Sequence, residues 1–328
     1  MSSGNTIKGS EMTKKIAFQI VVDALLDDSQ PFPPHYLYLF SDIEPGQLKL
    51  LLEAWPQVSP ARQLALLADL EELAEEDTLL YFDDLARPLL KDPEPQVRIQ
   101  ALRLLWECED ARLAPTFLEI LTEDSDSNVR AAAATALGMF IYLGEIEEIA
   151  EQTLHKVEDS LLAIIHSDEA TLVRRRALEA LGWSSRPEVS ALIEAGYAEK
   201  DADWKVSALF AMGRSGDEGW GKQVLSNLRN RNAAIRLEAL RAAGELALAS
   251  ARPILLDMLA DEEDVETRHE IIWALTQIGG EKVNDRLVEL LEMAEDDEEE
   301  TEFLEEALEN LAFTEEVSGL DLLDFEDD

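Results

Sequence analysis

Apolar residues recur along this chain at helical spacing, and the pattern itself recurs. In VRRRALEALG, Val173 to Gly182, the residues Val173, Ala177, Leu178 and Leu181 fall at i, i+4, i+5 and i+8. Those positions make one buried stripe on a helix. Relatives of the stretch begin at Val97, Val129, Trp204, Ile235 and Thr267, with weaker copies from Ala61 and Phe303. Their second positions are Arg62, Arg98, Arg130, Arg174, Lys205, Arg236, Arg268 and Leu304, separated by 36, 32, 44, 31, 31, 32 and 36 residues. Self-similarity at such a period marks a repeat architecture. Each unit reads as two helices, the first written as APTFLEILTE, RPEVSALIEA, ARPILLDMLA or VNDRLVELLE. Pro187 and Pro253 stand near helix starts, where proline is tolerated. Asp92, Asp124, Asp168, Glu199, Asn230 and Glu262 lie five residues before the pattern, where an acid or amide there or nearby caps the second helix. Gly138, Gly182, Gly213 and Gly244 suit helix ends.

The predicted fold is all-α: a right-handed α-solenoid of about seven to eight helix pairs. Residues 1–15 are polar and aperiodic, and are expected to be disordered. Residues 16–91 read as an N-terminal helical cap with divergent repeats, broken at Pro31, Pro33 and Pro34, with Ser41 or Asp42 and then Pro60 opening helices. Residues 92–313 carry the repeats, and 314–328 form an acidic tail. The 44-residue interval is assigned to a longer first helix between Gly144 and Asp168. It reads either as a functional insertion or as an extra turn or two.

Composition sharpens this picture chiefly through charge. The 328 residues carry a formal net charge of -42, which argues against nucleic acid or anionic lipid as partner. No stretch approaches a membrane span, and no signal peptide is expected, so a cytoplasmic location is the default. The single cysteine, Cys108, excludes an internal disulfide framework. No glycine-rich phosphate loop, CxxC pair or nucleophile–base set stands out, and no cofactor or metal is expected. His155 and Glu158 share a helical spacing, but one pair is weak evidence for a metal.

The repeat resembles the HEAT-repeat family, in the short variant first associated with phycobilin lyases, over roughly residues 92–313. That resemblance implies that Arg98, Arg130, Arg174, Arg236 and Arg268 form a structural ladder with turn acids of neighbouring repeats. It also brings in an enzymatic alternative, a lyase or a metal-dependent oxidoreductase on this scaffold. The sequence TRHEIIWAL resembles a di-iron motif of deoxyhypusine hydroxylase at His269 and Glu270. That family needs four His-Glu pairs, and this chain has one. DNA glycosylases of similar repeats need a basic groove, which the net charge opposes.

One local departure remains. Residues 171–241 hold 12 basic and 9 acidic residues, against a large acidic excess elsewhere. Helical geometry groups Arg175, Arg176 and Glu179 opposite the buried stripe. Phe210, Arg241 and Trp273 occupy the Glu179 position in the following repeats. Arg175, Arg176, Phe210, Arg241 and Trp273 are therefore the candidate partner-binding strip. The alternative is that some aromatics are core and the arginines balance nearby acids. The expected function is a non-catalytic scaffold or adaptor whose central basic strip receives an acidic peptide from a protein partner. The chain's own tail, with Leu320, Leu322, Leu323 and Phe325 set among acids, is the nearest candidate for an intramolecular contact with residues 171–241. The acidity is also open to a reading as adaptation to high salt.

Overall fold

The computed structural model describes residues 17–294 and 297–324, with side chains as far as Val317. The segment 1–15, expected to be disordered, lies outside the described residues, as do 325–328 of the tail. Every regular element among the described residues is helical. The chain forms two compact units, residues 1–108 and 109–328.

The first unit holds α1 (Phe18–Leu26), α2 (Pro45–Ala54), α3 (Pro60–Glu76), α4 (Asp83–Leu89) and α5 (Pro95–Leu104). The domain boundary placed at residue 92 falls inside this unit. Proline opens α2, α3 and α5, where its missing N–H costs nothing. The triple-proline break becomes a 3-10 turn, Pro34–Phe40. Arg62 holds the preceding loop by donating to the carbonyls of Asp27 (3.0 Å) and Gln30 (2.6 Å).

The second unit is a two-layer array of α6 (Ala114–Glu123), α7 (Ser127–Glu145), α8 (Glu151–Ile165), α9 (Thr171–Leu181), α10 (Pro187–Ala198), α11 (Ala202–Arg214), α12 (Gly221–Leu225), α13 (Ala233–Glu245), α14 (Arg252–Asp261), α15 (Val265–Ile278), α16 (Val283–Met293) and α17 (Glu298–Asp324). Within this unit six helix pairs follow one another, α6/α7 to α16/α17, the solenoid arrangement that the period predicts. Turn acids and amides work in two steps. Asp124, Asn230 and Glu262 accept the N–H two residues on, and that next residue, Asp126, Asn232 or Asp264, caps the helix.

Two local expectations are corrected. The extra length of the 44-residue interval belongs mainly to a second helix. α7 runs 19 residues because Phe140, Ile141 and Leu143 keep burying apolar surface past the repeat's usual end. The chain turns at Glu147, which adopts a left-handed φ of 64°, before α8 begins. The repeat glycines, in turn, do not end helices in a left-handed conformation. Gly138, Gly213 and Gly244 lie inside α7, α11 and α13, and Gly182 caps α9 with φ -52°. Their use is close approach. A Cβ on Gly138, Gly182, Gly213 or Gly244 would stand 3.4, 3.0, 3.2 or 3.0 Å from the Cα of Ala180, Ala211, Ala242 or Ala274 on the next second helix. Successive second helices thus pack backbone against backbone into one continuous layer.

The tail begins as helix. α17 passes residue 314 and reaches Asp324, and Glu315 accepts a long hydrogen bond from Gly280 N (3.4 Å).

Candidate functional site

The close second-helix layer fixes which side chains face outward together. Two positions after the second position of the repeat (Arg174, Lys205, Arg236, Arg268) stand Arg176, Ser207, Glu238 and Glu270; five after it, Glu179, Phe210, Arg241 and Trp273. Nine after it stand Trp183, Arg214 and Glu245. Because the glycine column holds the helices tightly, these side chains form one connected surface across α9, α11, α13 and α15.

The candidate strip residues lie on that surface and are tied into it. Arg175, 12% exposed, pairs with Asp203 and donates through Nε to Ser207 Oγ (3.1 Å). Arg176 reaches Glu179 at 2.5 Å, and Ser207 donates to the same carboxylate at 2.6 Å. Arg175, Arg176 and Glu179 are therefore joined as helical geometry predicts, through a serine of the neighbouring repeat. Arg241 donates to Glu270 at 2.9 Å. Phe210 lies under the Arg214 guanidinium (4.2 Å to the ring centroid), and Arg214 also covers Trp183 (5.2 Å). Trp183 in turn meets Tyr142 at 5.0 Å between centroids. Trp273 lies over Gly244, where a Cβ would stand 2.5 Å from its ring.

Three groups that the sequence reading left aside complete the surface: Arg214, Glu238 and Glu245. Burial pulls the Arg214 guanidinium below its usual range, and burial pushes the Glu245 carboxyl up. Glu245 is nonetheless open to water. Glu238 is 7% exposed, and burial pushes its carboxyl up to about 8. The signal for all three was the register column rather than any motif.

The ladder arginines bind mostly to backbone. Arg98, Arg130 and Arg236 donate to the carbonyl six residues earlier, on Asp92 (2.8 Å), Asp124 (2.7 Å) and Asn230 (3.1 Å). Arg174 donates to Ile165 O (2.9 Å) and lies over Trp204 of the next repeat. Arg130 also crosses to Glu169 of the next repeat at 2.7 and 2.9 Å, and Arg268 to Glu300 at 3.2 Å. The turn residues Asp92, Asp124, Asn230 and Glu262 also accept N–H groups of their own loops.

His269 and Glu270 diverge. His269 stacks on Phe303 (3.9 Å between centroids) and meets Glu300 at 2.8 Å, whereas Glu270 takes Arg241. His155 and Glu158 also separate. Glu158 is 1% exposed and accepts the Ser184 hydroxyl, while exposed His155 lies 3.8 Å from Glu151. Open clefts of about 730 Å³ along α8 and about 500 Å³ between α12 and α14 lie on first helices, away from the surface described above.

Fold and surface define an all-α repeat protein built on backbone-close helix pairs. HEAT repeats match residues 84–154 and 221–309 of the chain. Among curated proteins, none matches. Similar solved structures include Escherichia coli YibA, with 19% identity, 74% of this chain and 96% of that one covered, and a TM-score of 0.33. Human deoxyhypusine hydroxylase in complex with glycerol is similar at 20% identity, 90% and 96% coverage and a TM-score of 0.34. Kap121p is similar at 16% identity, 90% and 42% coverage and a TM-score of 0.40. No helix among the described residues is long and apolar enough to cross a membrane.

Proposed function

We propose that this chain is a non-catalytic scaffold that binds a protein partner along the second-helix surface of α9, α11, α13 and α15. The observation that carries this reading is the connected set of arginine and aromatic side chains across these helices, in which Arg214 lies over both Phe210 and Trp183 and Arg241 pairs with Glu270. Aromatic and arginine side chains held in place by such contacts are the anchors that protein interfaces favour. Pairing fixes their rotamers before a partner arrives, so little side-chain entropy is lost on binding.

The test uses Trp273→Ala combined with Arg176→Ala, with helix content checked by circular dichroism. A partner purified on the wild-type chain should bind the variant at least ~10-fold more weakly, as expected for loss of anchor residues. Equal affinity for both chains removes this surface from the function. Deleting Thr314–Asp328 belongs to the same experiment: unchanged partner affinity and unchanged hydrogen exchange over residues 171–241 remove the tail as a guard of the surface. Stoichiometric iron in the purified chain, lost in His269→Ala, would replace the scaffold with the enzymatic reading.

A further inference from the structure

On the first-helix side, the pair α12/α13 departs from its neighbours. α12 spans five residues, where α10 and α14 span 12 and 10. After Leu225 the chain continues in turns around the buried Asn227. Its amide donates to Gln223 O (2.8 Å) and to the Tyr197 hydroxyl of α10 (2.7 Å). The turn is thereby tied to α10, and on its other side, toward α14, the open cleft of about 500 Å³ remains. Leu225, Pro253 and Ile254 are its apolar lining, and Ser226, Arg229 and Asp257 its polar lining.

Charge sets this cleft apart. Residues 219–237 are the longest stretch of the chain without an acid, although 70 of its 328 residues are acidic. The same stretch carries Lys222, Arg229, Arg231 and Arg236. Arg236 is used internally, on Asn230 O, whereas the other three are exposed. Lys222 stands one helical turn before Ser226, whose N–H donates to the Lys222 carbonyl (3.2 Å), and Arg231 follows Arg229 by two residues. Neither Lys222 nor Arg231 makes an ion pair among the described residues. Arg229 pairs with Asp257 across the cleft, with side chains 58% and 72% exposed. Such a pair in water is weak and yields readily to another carboxylate.

We infer that this cleft docks an acidic segment of a partner protein, one apolar side chain of which sits against Leu225, Pro253 and Ile254. The segment's carboxylates meet Lys222, Arg229 and Arg231, with Asp257 the one opposing carboxylate among the lining residues. This site goes beyond the second-helix surface proposed above and takes a separate segment. The occupant follows from charge complementarity. The remaining carboxylates of the chain oppose it only at short range, because the Debye length is about 8 Å at 0.15 M salt. A basic segment, which the acidic surface attracts elsewhere, meets three like charges here and is rejected.

The experiment follows the fluorescence anisotropy of a labelled peptide, six glutamates flanking two central leucines, as full-length chain is added at about 0.15 M salt. Lys222→Gln with Arg231→Gln should weaken binding about fivefold or more, as two exposed charge pairs are lost. Ile254→Ser should weaken it about threefold or more through lost apolar contact. Lys49→Gln with Lys91→Gln removes the same charge from exposed positions of the first unit and should change nothing. Trp273→Ala with Arg176→Ala should also leave the peptide bound. No binding by the wild type, equal weakening by the two lysine- and arginine-neutralised chains, or full affinity in Ile254→Ser overturns the cleft as a docking site. Loss of the peptide in Trp273→Ala with Arg176→Ala overturns it as well, since the acidic segment then lies on the second-helix surface. The scaffold reading is measured with its own partner, so it stands or falls separately.

Discussion

At the scale of residues, the decisive feature is that charge on this surface is organised by burial. Glu238 makes the consequence measurable in the free protein. The unfolded chain gives up this proton near 4.5 and the folded chain only near 8. Between those values the unfolded state binds fewer protons, so stability falls as pH rises, by at most ~1.4 kcal/mol per pH unit for one such group. Glu238→Gln has no proton to lose. Urea unfolding from pH 5 to 8 should show a declining stability for the wild type and a shallower decline for the variant. At pH 8 the variant should be the more stable of the two by roughly 1–3 kcal/mol. A residual slope is expected, since burial also raises the Glu245, Glu270 and Glu158 carboxyls. Parallel curves would mean that Glu238 is not the buried acid that sets the slope. Sequence exposed part of this. Arg175, Arg176, Phe210, Arg241 and Trp273 were legible as departures from the repeat. Glu238 was not, because an acid in a chain with 70 acidic residues carries no signal until its burial is known.

At the scale of elements, the second helices owe their spacing to glycine. The repeat pattern announced both the helices and the glycines, but a glycine closing a helical pattern reads first as a terminator. What the sequence could not display is the neighbouring backbone. Ala211, Ala242 and Ala274 lie where a side chain at Gly182, Gly213 or Gly244 would go. The same limit explains α7: Gly144 looked like a helix start, whereas Leu154 packs on it 2.7 Å from where a Cβ would be, and the helix passes straight through. Gly244→Ala should therefore invert the usual rule. Alanine in a helix interior gains roughly 0.5–1 kcal/mol over glycine. Here its methyl meets the Trp273 ring and the Ala274 backbone, an overpacking that costs ~1–3 kcal/mol. The net expectation is a loss of about 1–2 kcal/mol, read by chemical denaturation, with added exposure of Trp273 in its fluorescence. Gly46→Ala, in α2 with nothing within 4 Å, should be neutral or mildly stabilising. If both substitutions behave alike, the helix spacing is not set by the glycine column.

At the scale of the whole molecule, a charge of -42 acts on every property that depends on exposed carboxylates. Repulsion among them opposes the folded state and is screened by salt, since the Debye length shrinks from ~30 Å at 0.01 M to ~8 Å at 0.15 M. The partly buried pairs, such as Arg130 with Glu169 at 17% and 18% exposure, are screened far less. Added salt should thus relieve repulsion without dissolving the contacts between repeats. The thermal midpoint should rise by several degrees between ~0.02 and ~0.3 M sodium chloride and then level off, because further screening at ~3 Å has little left to remove. The two explanations of the acidity separate on the shape of that curve. General repulsion saturates once the Debye length falls below the spacing of surface charges. A chain adapted to high salt continues to gain stability steeply into the molar range. The internal matching of guanidiniums to carboxylates on α9, α11, α13 and α15 favours saturation, since those groups are satisfied without any help from solution ions. A midpoint still climbing steeply above ~1 M salt would instead identify the acidic surface as a salt-dependent element of the fold.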